Sequence, residues 1–410
     1  MYISLKGETF DGNKFALESL KKDAKYAVVD DISIPKTEGL VYVKDGLKAL
    51  QNLSSYHRHQ FNIPFIRITG SNGKTTTKEL MHAVLSQKFN VLATSGNFNN
   101  HIGVPLTLFH LDESHEIAII EMGASKQGDI KELCEIVDPD YGLITNIGKA
   151  HIETMGGIEG VLKTKTELFD HIRNRNGNLL IHSCDKLLME NAGNDAGFFY
   201  GALPTDDVQG RVVRDGNLIA VQWHRKDSEG SIENAPVVKT NLTGAYNLPN
   251  IMAAVATGVV FGLTDEEIAR GVTGYEPSNN RSEVRMKGSN TFILDAYNAN
   301  PSSMEVAINN LIGTDAKNHS VILGEMLELG ESSQDEHRLV CDRLKILQLK
   351  HVCLVGNEFL QLKKDYDFNF FENVDELNEW LVNHPFENET VLIKGSRGNK
   401  LEKAAEQLLA

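Results

Sequence analysis

The stretch IPFIRITGSNGKTTTKEL, residues 63–80, constrains this chain more than any other part of it. Residues 63–69 form an apolar run of strand length, and Leu80, Met81, Val84 and Leu85 then mark one face of a helix. Between them lies Gly70-Ser71-Asn72-Gly73-Lys74-Thr75. A glycine turn leading from a buried strand into a helix presents backbone N–H groups and the positive end of the helix dipole to an anion. Lys74 is expected to reach the β/γ-phosphates of a nucleotide and the Thr75 hydroxyl to meet Mg²⁺, with Thr76 completing the ATP-binding turn. The common pattern G-x-x-x-x-G-K-[ST] wants glycine where Ile68 stands, and only two residues separate Gly70 from Gly73. This is the spacing of a shortened phosphate loop, which argues against a plain GTPase or motor. A bare glycine turn is the competing reading, and G-K-T-T in this context disfavours it.

The rest of the chain repeats the strand-then-helix pattern, so the fold class expected is α/β, with parallel sheets and helical crossovers. Apolar runs at 116–121, 142–147 and 178–182 read as strands, residues 211–223 as a hairpin turning at Asp215-Gly216, and Asn250 to Val260 as a helix. A second set of strands, TFILDA, SVILGEM, HVCLVG and TVLIKG, alternates with helical stretches around 302–312, 334–347 and 399–409. The polar segment 275–290 lacks periodicity and suggests a boundary. With 410 residues, the chain exceeds one ordinary core. Three domains are expected: 1–60, 61–283 and 284–410.

A net charge of −15 argues against a nucleic-acid surface, so an anionic ligand must be held by local cations and backbone N–H groups. Cys134, Cys184, Cys341 and Cys353 are scattered without C-x-x-C spacing, which suits a reducing compartment and not a structural zinc site. No apolar leader or span is evident, so a cytoplasmic protein without membrane insertion is expected.

Glu121 closes EIAIIE at a strand C-terminus, where ligands of open α/β sheets gather and a carboxylate can hold Mg²⁺. His151 and Lys165 read on their own as surface or structural residues. Asn97, Asn99 and Asn100 could form a polar substrate pocket, or equally a turn or helix cap. Asp295 and Asn298 in DAYNANP, like Lys394-Gly395-Ser396-Arg397, lie at strand-to-helix turns of the second α/β set. Two such turns opposite a phosphate loop suggest a cleft between domains.

These motifs together resemble the Mur ligases, ATP-dependent amide ligases whose shortened loop reads T-G-[ST]-x-G-K-T, here Thr69 to Thr75. The resemblance spans nearly the whole chain through GNFNNHIGVPLT, EMGAS, NIGKAH, NLTGAYNLPN, DAYNANPSSM, LGEMLELG and KGSRG. It implies three domains: a central ATPase-like parallel sheet, a doubly wound C-terminal domain and a small N-terminal domain that binds the UDP-linked substrate. It also implies that Thr75, Glu121, His151 and a carbamylated Lys165 surround two Mg²⁺ ions. By the same resemblance Asn247 and Asn250 contact the adenine region of ATP, and Arg281, Asp295 and Asn298 reach its phosphates and ribose. Tyr246 stands where the family often has histidine.

DAYNANP with NNHIGVPLT is the form of the member that joins D-Ala-D-Ala to UDP-MurNAc-tripeptide. That implies these two small-molecule substrates and an acyl phosphate between them; a monomer is expected, although no motif fixes the oligomeric state. A Mur-type ligase adding the third residue, or an ATP-binding regulator without catalysis, are the alternatives. The family pattern begins upstream of the segment matching MYISLKGETFDGNKF, so an upstream extension is expected. A strand starting at Tyr2 is then expected to lack its neighbour, and the small N-terminal piece to lean on the central domain.

Overall fold

The computed structural model describes residues 1–193, 197–214, 218–278 and 281–410. Three short strands, β1 (Tyr2–Ile3), β2 (Ala27–Val29) and β3 (Leu40–Tyr42), form a parallel sheet in that order. Tyr2 pairs with Ala27 and Ile3 with Val28. The expectation of an unpartnered strand at residue 2 is thus corrected: its neighbour comes from downstream, beyond the helix Ala16–Lys21. The core here is small, with Ala16, Ala27 and Val29 fully buried beneath Tyr2, Leu20, Ile34, Leu40 and Tyr42. So little buried apolar surface stabilises a module weakly, and it rests on its neighbour. The helix Gly46–Arg58 makes that contact. Arg58 Nε donates to Val137 O (2.6 Å) and Nη2 to Asp138 O (2.9 Å), putting a cation on the last carbonyls of the helix Asp129–Val137. Gln51 Nε2 adds a 2.7 Å bond to Glu132.

The central sheet has nine strands: β4 (Phe65–Thr69), β5 (Val91–Ala93), β6 (Ile117–Glu121), β7 (Tyr141–Ile144), β8 (Asn178–His182), β9 (Gly197–Gly201), β10 (Val208–Arg214), β11 (Ala220–Arg225) and β12 (Val238–Lys239). Their order is β12-β11-β10-β9-β8-β7-β4-β6-β5. β4 pairs in parallel with β6 on one side and β7 on the other, so the chain crosses over at the end of β4 and leaves a crevice there. Every residue of β4 is buried, as befits a strand covered on both faces. One face packs on Leu80, Met81 and Val84 of the loop helix and on the helix Leu248–Val260, the other on the helices Asp129–Val137 and Gly157–Asn174. β10 and β11 form the expected antiparallel hairpin, while its proposed turn at Asp215-Gly216 lies outside the described residues.

One β4 residue is out of keeping with its surroundings. Arg67 is wholly buried; among the described residues Nε and Nη2 have no partner, and Nη1 donates to Leu133 O at 2.5 Å. Burial pushes its guanidinium down to about 10. A base with a depressed folded-state pKa costs stability in full below that value, and the cost fades only as pH rises past it. Arg67→Met is therefore expected to stabilise the protein by about 1–3 kcal/mol, equally from about pH 6 to 9, read as a raised urea midpoint. An unchanged or lowered midpoint would show that the guanidinium has partners of equal worth.

The third sheet comprises β13 (Glu283–Lys287), β14 (Asn290–Asp295), β15 (His319–Gly324), β16 (His351–Val355), β17 (Asn369–Phe371) and β18 (Thr390–Lys394), in the order β13-β14-β18-β15-β16-β17. All pairings but β13–β14 are parallel. β13 lies inside the segment read as aperiodic. It is an edge strand whose charged Glu283, Arg285 and Lys287 alternate with Val284 and a largely exposed Met286, so little of it marks a core face.

Candidate active site

A cleft of about 1150 Å³ runs between the C-terminal ends of the second and third sheets. The phosphate loop forms one wall. Gly70 has φ +143° and a Cβ there would lie 2.0 Å from Thr145 Oγ1, so no other residue fits. Gly73, at φ +78°, ends the loop and begins the helix Lys74–Leu85. Asn146 fixes the turn from β7: its carbonyl accepts from Ser71 N (3.0 Å) and its Oδ1 from Asn72 N (3.0 Å). Ser71 Oγ donates to Gly148 O at 3.0 Å. The N–H groups of Lys74, Thr75 and Thr76, in the first helical turn, have no intrahelical acceptor and converge on the cleft.

Lys74 Nζ donates to Gly70 O (2.7 Å) and Ser71 O (3.2 Å) across its own loop. Loss of water around the ammonium lowers its pKa; Glu121 opposes that shift and Arg281 adds to it. Thr75 Oγ1 donates to Glu121 Oε2 at 2.9 Å, and Asn99 Nδ2 to Glu121 Oε1 at 2.8 Å. Glu121 is 1% exposed and both its oxygens accept from neutral donors. Its backbone N donates to Thr94 Oγ1 (2.9 Å), which seats the carboxylate against the loop.

A hydroxyl and a buried carboxylate are hard oxygen donors and fit Mg²⁺, which takes one or two carboxylates along with substrate phosphates. Among the described residues no three His, Cys, Asp or Glu side chains form a ligand cage. The four residues expected around the metal are arranged unevenly. Thr75 and Glu121 are bonded to each other, and His151 lines the cleft with Nδ1 2.7 Å from Glu328 Oε2 of the third module. Lys165 sits inside the helix Gly157–Asn174, only 2% exposed. Burial, reinforced by Lys74, pushes its amine down to about 7 against the pull of Asp129 and Glu167. The surface-lysine reading is corrected.

The asparagine trio separates. Asn99 holds Glu121, whereas Asn100 Oδ1 accepts from Ile102 N (3.0 Å) and Gly103 N (2.8 Å) as a helix cap. Asn97 is exposed and does not line the cleft, because its loop turns it to solvent. Asn247 and Asn250 support the loop from beneath: Asn250 accepts from Thr77 Oγ1 (3.1 Å) and donates to Asn247 Oδ1 (2.8 Å), and Asn247 donates to Thr243 O (2.8 Å).

The third module forms the opposite wall. Asp295 Oδ2 pairs with the buried Lys394 at 2.6 Å, and Lys394 also donates to Asn298 O at 3.2 Å. The Arg281 guanidinium stacks 3.6 Å from the centre of the Tyr297 ring. Asn300 Nδ2 reaches across to Asn72 Oδ1 at 2.8 Å, joining the DAYNANP turn to the phosphate loop. Sequence reasoning gave no role to Asn146, Tyr297 or Asn300; Asn146, at a strand end beside the crossover, carried the positional signal that could have found it.

Comparison with known proteins assigns the chain to a family. The Mur ligase middle domain matches residues 68–258, and the Mur ligase glutamate ligase domain matches residues 280–397. The UDP-N-acetylmuramoyl-tripeptide--D-alanyl-D-alanine ligase of Bacillus subtilis (strain 168) is 34% identical over 427 residues, covering 100% of this chain and 90% of that protein. Among solved structures, MurF from Acinetobacter baumannii superposes with a TM-score of 0.89 at 31% identity, over 99% of this chain and 89% of that one. The MurF ligase of Thermotoga maritima in complex with ADP gives 0.87 at 26% identity, over 99% and 93%. With about three quarters of its length matched to family domains and a relative 34% identical over the whole chain, this chain belongs to the Mur ligase family.

Proposed function

We propose that the chain joins D-alanyl-D-alanine to UDP-N-acetylmuramoyl-tripeptide in peptidoglycan precursor synthesis, at the expense of ATP. The observation that carries this reading is that the phosphate loop and the DAYNANP turn face each other across one cleft, Asn72 bonded to Asn300. ATP lies with its phosphates on the N–H groups of Lys74, Thr75 and Thr76, and Arg281, Asp295 and Asn298 reach it from the third module. Asn247 and Asn250 support the loop beside the adenine region, and Asn99 and Asn100 border the substrate side. Thr75 and Glu121 would hold Mg²⁺, with His151 and a carbamylated Lys165 nearby. Bound there, the metal neutralises charge on the phosphate oxygens.

The terminal carboxylate of the tripeptide attacks the γ-phosphorus, ADP leaves, and an acyl phosphate forms. The amine of D-Ala-D-Ala then adds to the acyl carbon, and the tetrahedral adduct collapses with loss of phosphate and a proton to give the amide. Lys74 offsets charge on the transferring phosphoryl group. Closure of the third module over the loop excludes water, which would otherwise consume the acyl phosphate. The division of labour follows residues 1–60 for the UDP-linked substrate, 61–283 for ATP and 284–410 for closure. Among the described residues no helix is long and apolar enough to cross a membrane, and the reading places a monomer in the cytoplasm.

Phosphate release is expected to require ATP, Mg²⁺ and both substrates together, measured by a coupled phosphate assay with each omitted in turn. Equal release with neither acceptor nor amine present overturns the ligase reading. Release with a free third amino acid and the dipeptide-bearing precursor instead would assign the earlier step.

A further inference from the structure

Beside the Asn72–Asn300 bond, several contacts between the central and third modules gather in one short segment, residues 149–153. Lys149 N donates to Ser302 Oγ (3.1 Å) and Lys149 Nζ pairs with Glu336 at 2.5 Å. Ile152 packs on the hydrophobic core beneath β15 and β16, and Gly330 lies against the Glu153 side chain. In their midst His151 Nδ1 meets Glu328 Oε2 at 2.7 Å.

Both members of this pair stand on strained backbone. His151 has φ +53° and Glu328 has φ +66°, the left-handed region that residues with a side chain rarely adopt. Such positions are sterically costly and persist where the surroundings, or a function, demand them. An ion pair between partly exposed side chains repays little of that cost. The strain at Glu328 instead aims one carboxylate at one ring nitrogen, and the strain at His151 turns that ring into the cleft. An imidazole whose Nδ1–H is held by a carboxylate has a fixed tautomer and orientation, and its Nε2 lone pair is left to act as ligand or acceptor.

We propose that Glu328 is a positioning residue that the third module contributes to the active site: on closure its carboxylate holds His151 Nδ1–H and presents Nε2 to the metal–phosphate end of the cleft. The proposal rests on the placing of Mg²⁺ and ATP above. It makes closure and completion of the site a single event, because the residue that orients His151 arrives only with the closing module. Lys149–Glu336 is the neighbouring clasp that holds the modules together without touching the ring.

The test separates orientation from simple clasping. Parent protein, Glu328→Gln and Glu336→Gln are titrated with Mn²⁺ in the presence of ATP, followed by electron paramagnetic resonance. Histidine ¹⁵N shifts of the metal-free proteins are recorded alongside, with His151 assigned from His151→Asn. Glu328→Gln is expected to weaken Mn²⁺ binding and lower kcat by about tenfold with little change in KM for D-Ala-D-Ala. It should also shift His151 from the Nδ1–H form toward the Nε2–H form. Glu336→Gln is expected to leave both the Mn²⁺ affinity and the tautomer as in the parent. Parent-like Mn²⁺ affinity and tautomer in Glu328→Gln overturn the proposal, as does an equal loss in Glu336→Gln, which would make both residues mere clasps. Failure of the parent itself to bind Mn²⁺ with ATP overturns the placing of the nucleotide and this inference with it. Glu328 is largely exposed, and a parent-like melting profile for its variant shows that the fold is intact.

Discussion

Lys74→Ala is expected to lower ATP-dependent phosphate release by about 10²-fold or more, the cost of removing a preorganised charge from a phosphoryl transition state. The geometry makes the expectation specific. The ammonium is tied to Gly70 O and Ser71 O, so it is held at the turn to which the proposed function assigns the phosphates. The same contacts predict how the loss divides. Backbone N–H groups of the loop still bind the nucleotide, so ADP affinity should fall less than kcat. Fluorescent-nucleotide binding and steady-state phosphate release, measured on the same preparation, give the two numbers. A variant with parent turnover would remove Lys74 from the reacting phosphate altogether.

Lys165→Ala is expected to lose activity by roughly 10–100-fold, the range seen when a group that orders a metal site is removed. A lysine that is 2% exposed and repelled by Lys74 is poorly placed as a cation. Its amine, pushed down to about 7, has a free lone pair in a substantial fraction of molecules at neutral pH. Attack of that lone pair on carbon dioxide forms an N–C bond, releases a proton and replaces a cation with an anion, turning repulsion by Lys74 into attraction. Short carboxylic acids such as formate or acetate are expected to restore part of the activity of Lys165→Ala, because they can occupy the place of the carbamate. In the parent, ¹³C-bicarbonate should give a carbamate resonance that is missing from the variant. Turnover unaffected by both bicarbonate depletion and the alanine substitution would leave Lys165 as a buried structural lysine.

The loop was legible in the sequence because its chemistry is local: Gly70 to Thr75 carry turn, helix start, cation and hydroxyl within six consecutive positions. The helices Leu248–Val260, Pro301–Ile312 and Ser333–Ile346 were legible for the same reason, since periodicity needs only near neighbours. Glu121 could be placed because strand ends in parallel sheets gather ligands, although its bond to Thr75 spans 46 residues. Lys165 and His151 could not be read without a family resemblance. What distinguishes them is burial beside Lys74 in one case and a carboxylate from another module in the other, and neither leaves a trace in neighbouring residues. Asparagine serves caps, turns and pockets alike, so the sequence left Asn97 and Asn100 open among these roles. β13 was missed because an edge strand alternates charge against half-exposed apolar residues and so looks like a loop.

The position of β18 has a consequence for how the protein is made. Thr390–Lys394 is synthesised after every other strand of its sheet, yet it lies in the interior of that sheet, hydrogen-bonded to β14 on one side and β15 on the other. While the ribosome is still short of it, the two halves of that sheet have no strand to join them, and Asp295 has no Lys394. The central module, by contrast, has all its strands by residue 239 and can fold first, as earlier domains do during translation. A nascent or prematurely terminated chain would thus display a finished nucleotide loop without the wall that closes over it. On the proposed reading, such a chain would keep the loop N–H groups that take phosphate but would lack the wall that shelters an acyl phosphate. Placing the last-made strand of this sheet at its centre delays assembly of the cleft's second wall until all six of its strands have been synthesised.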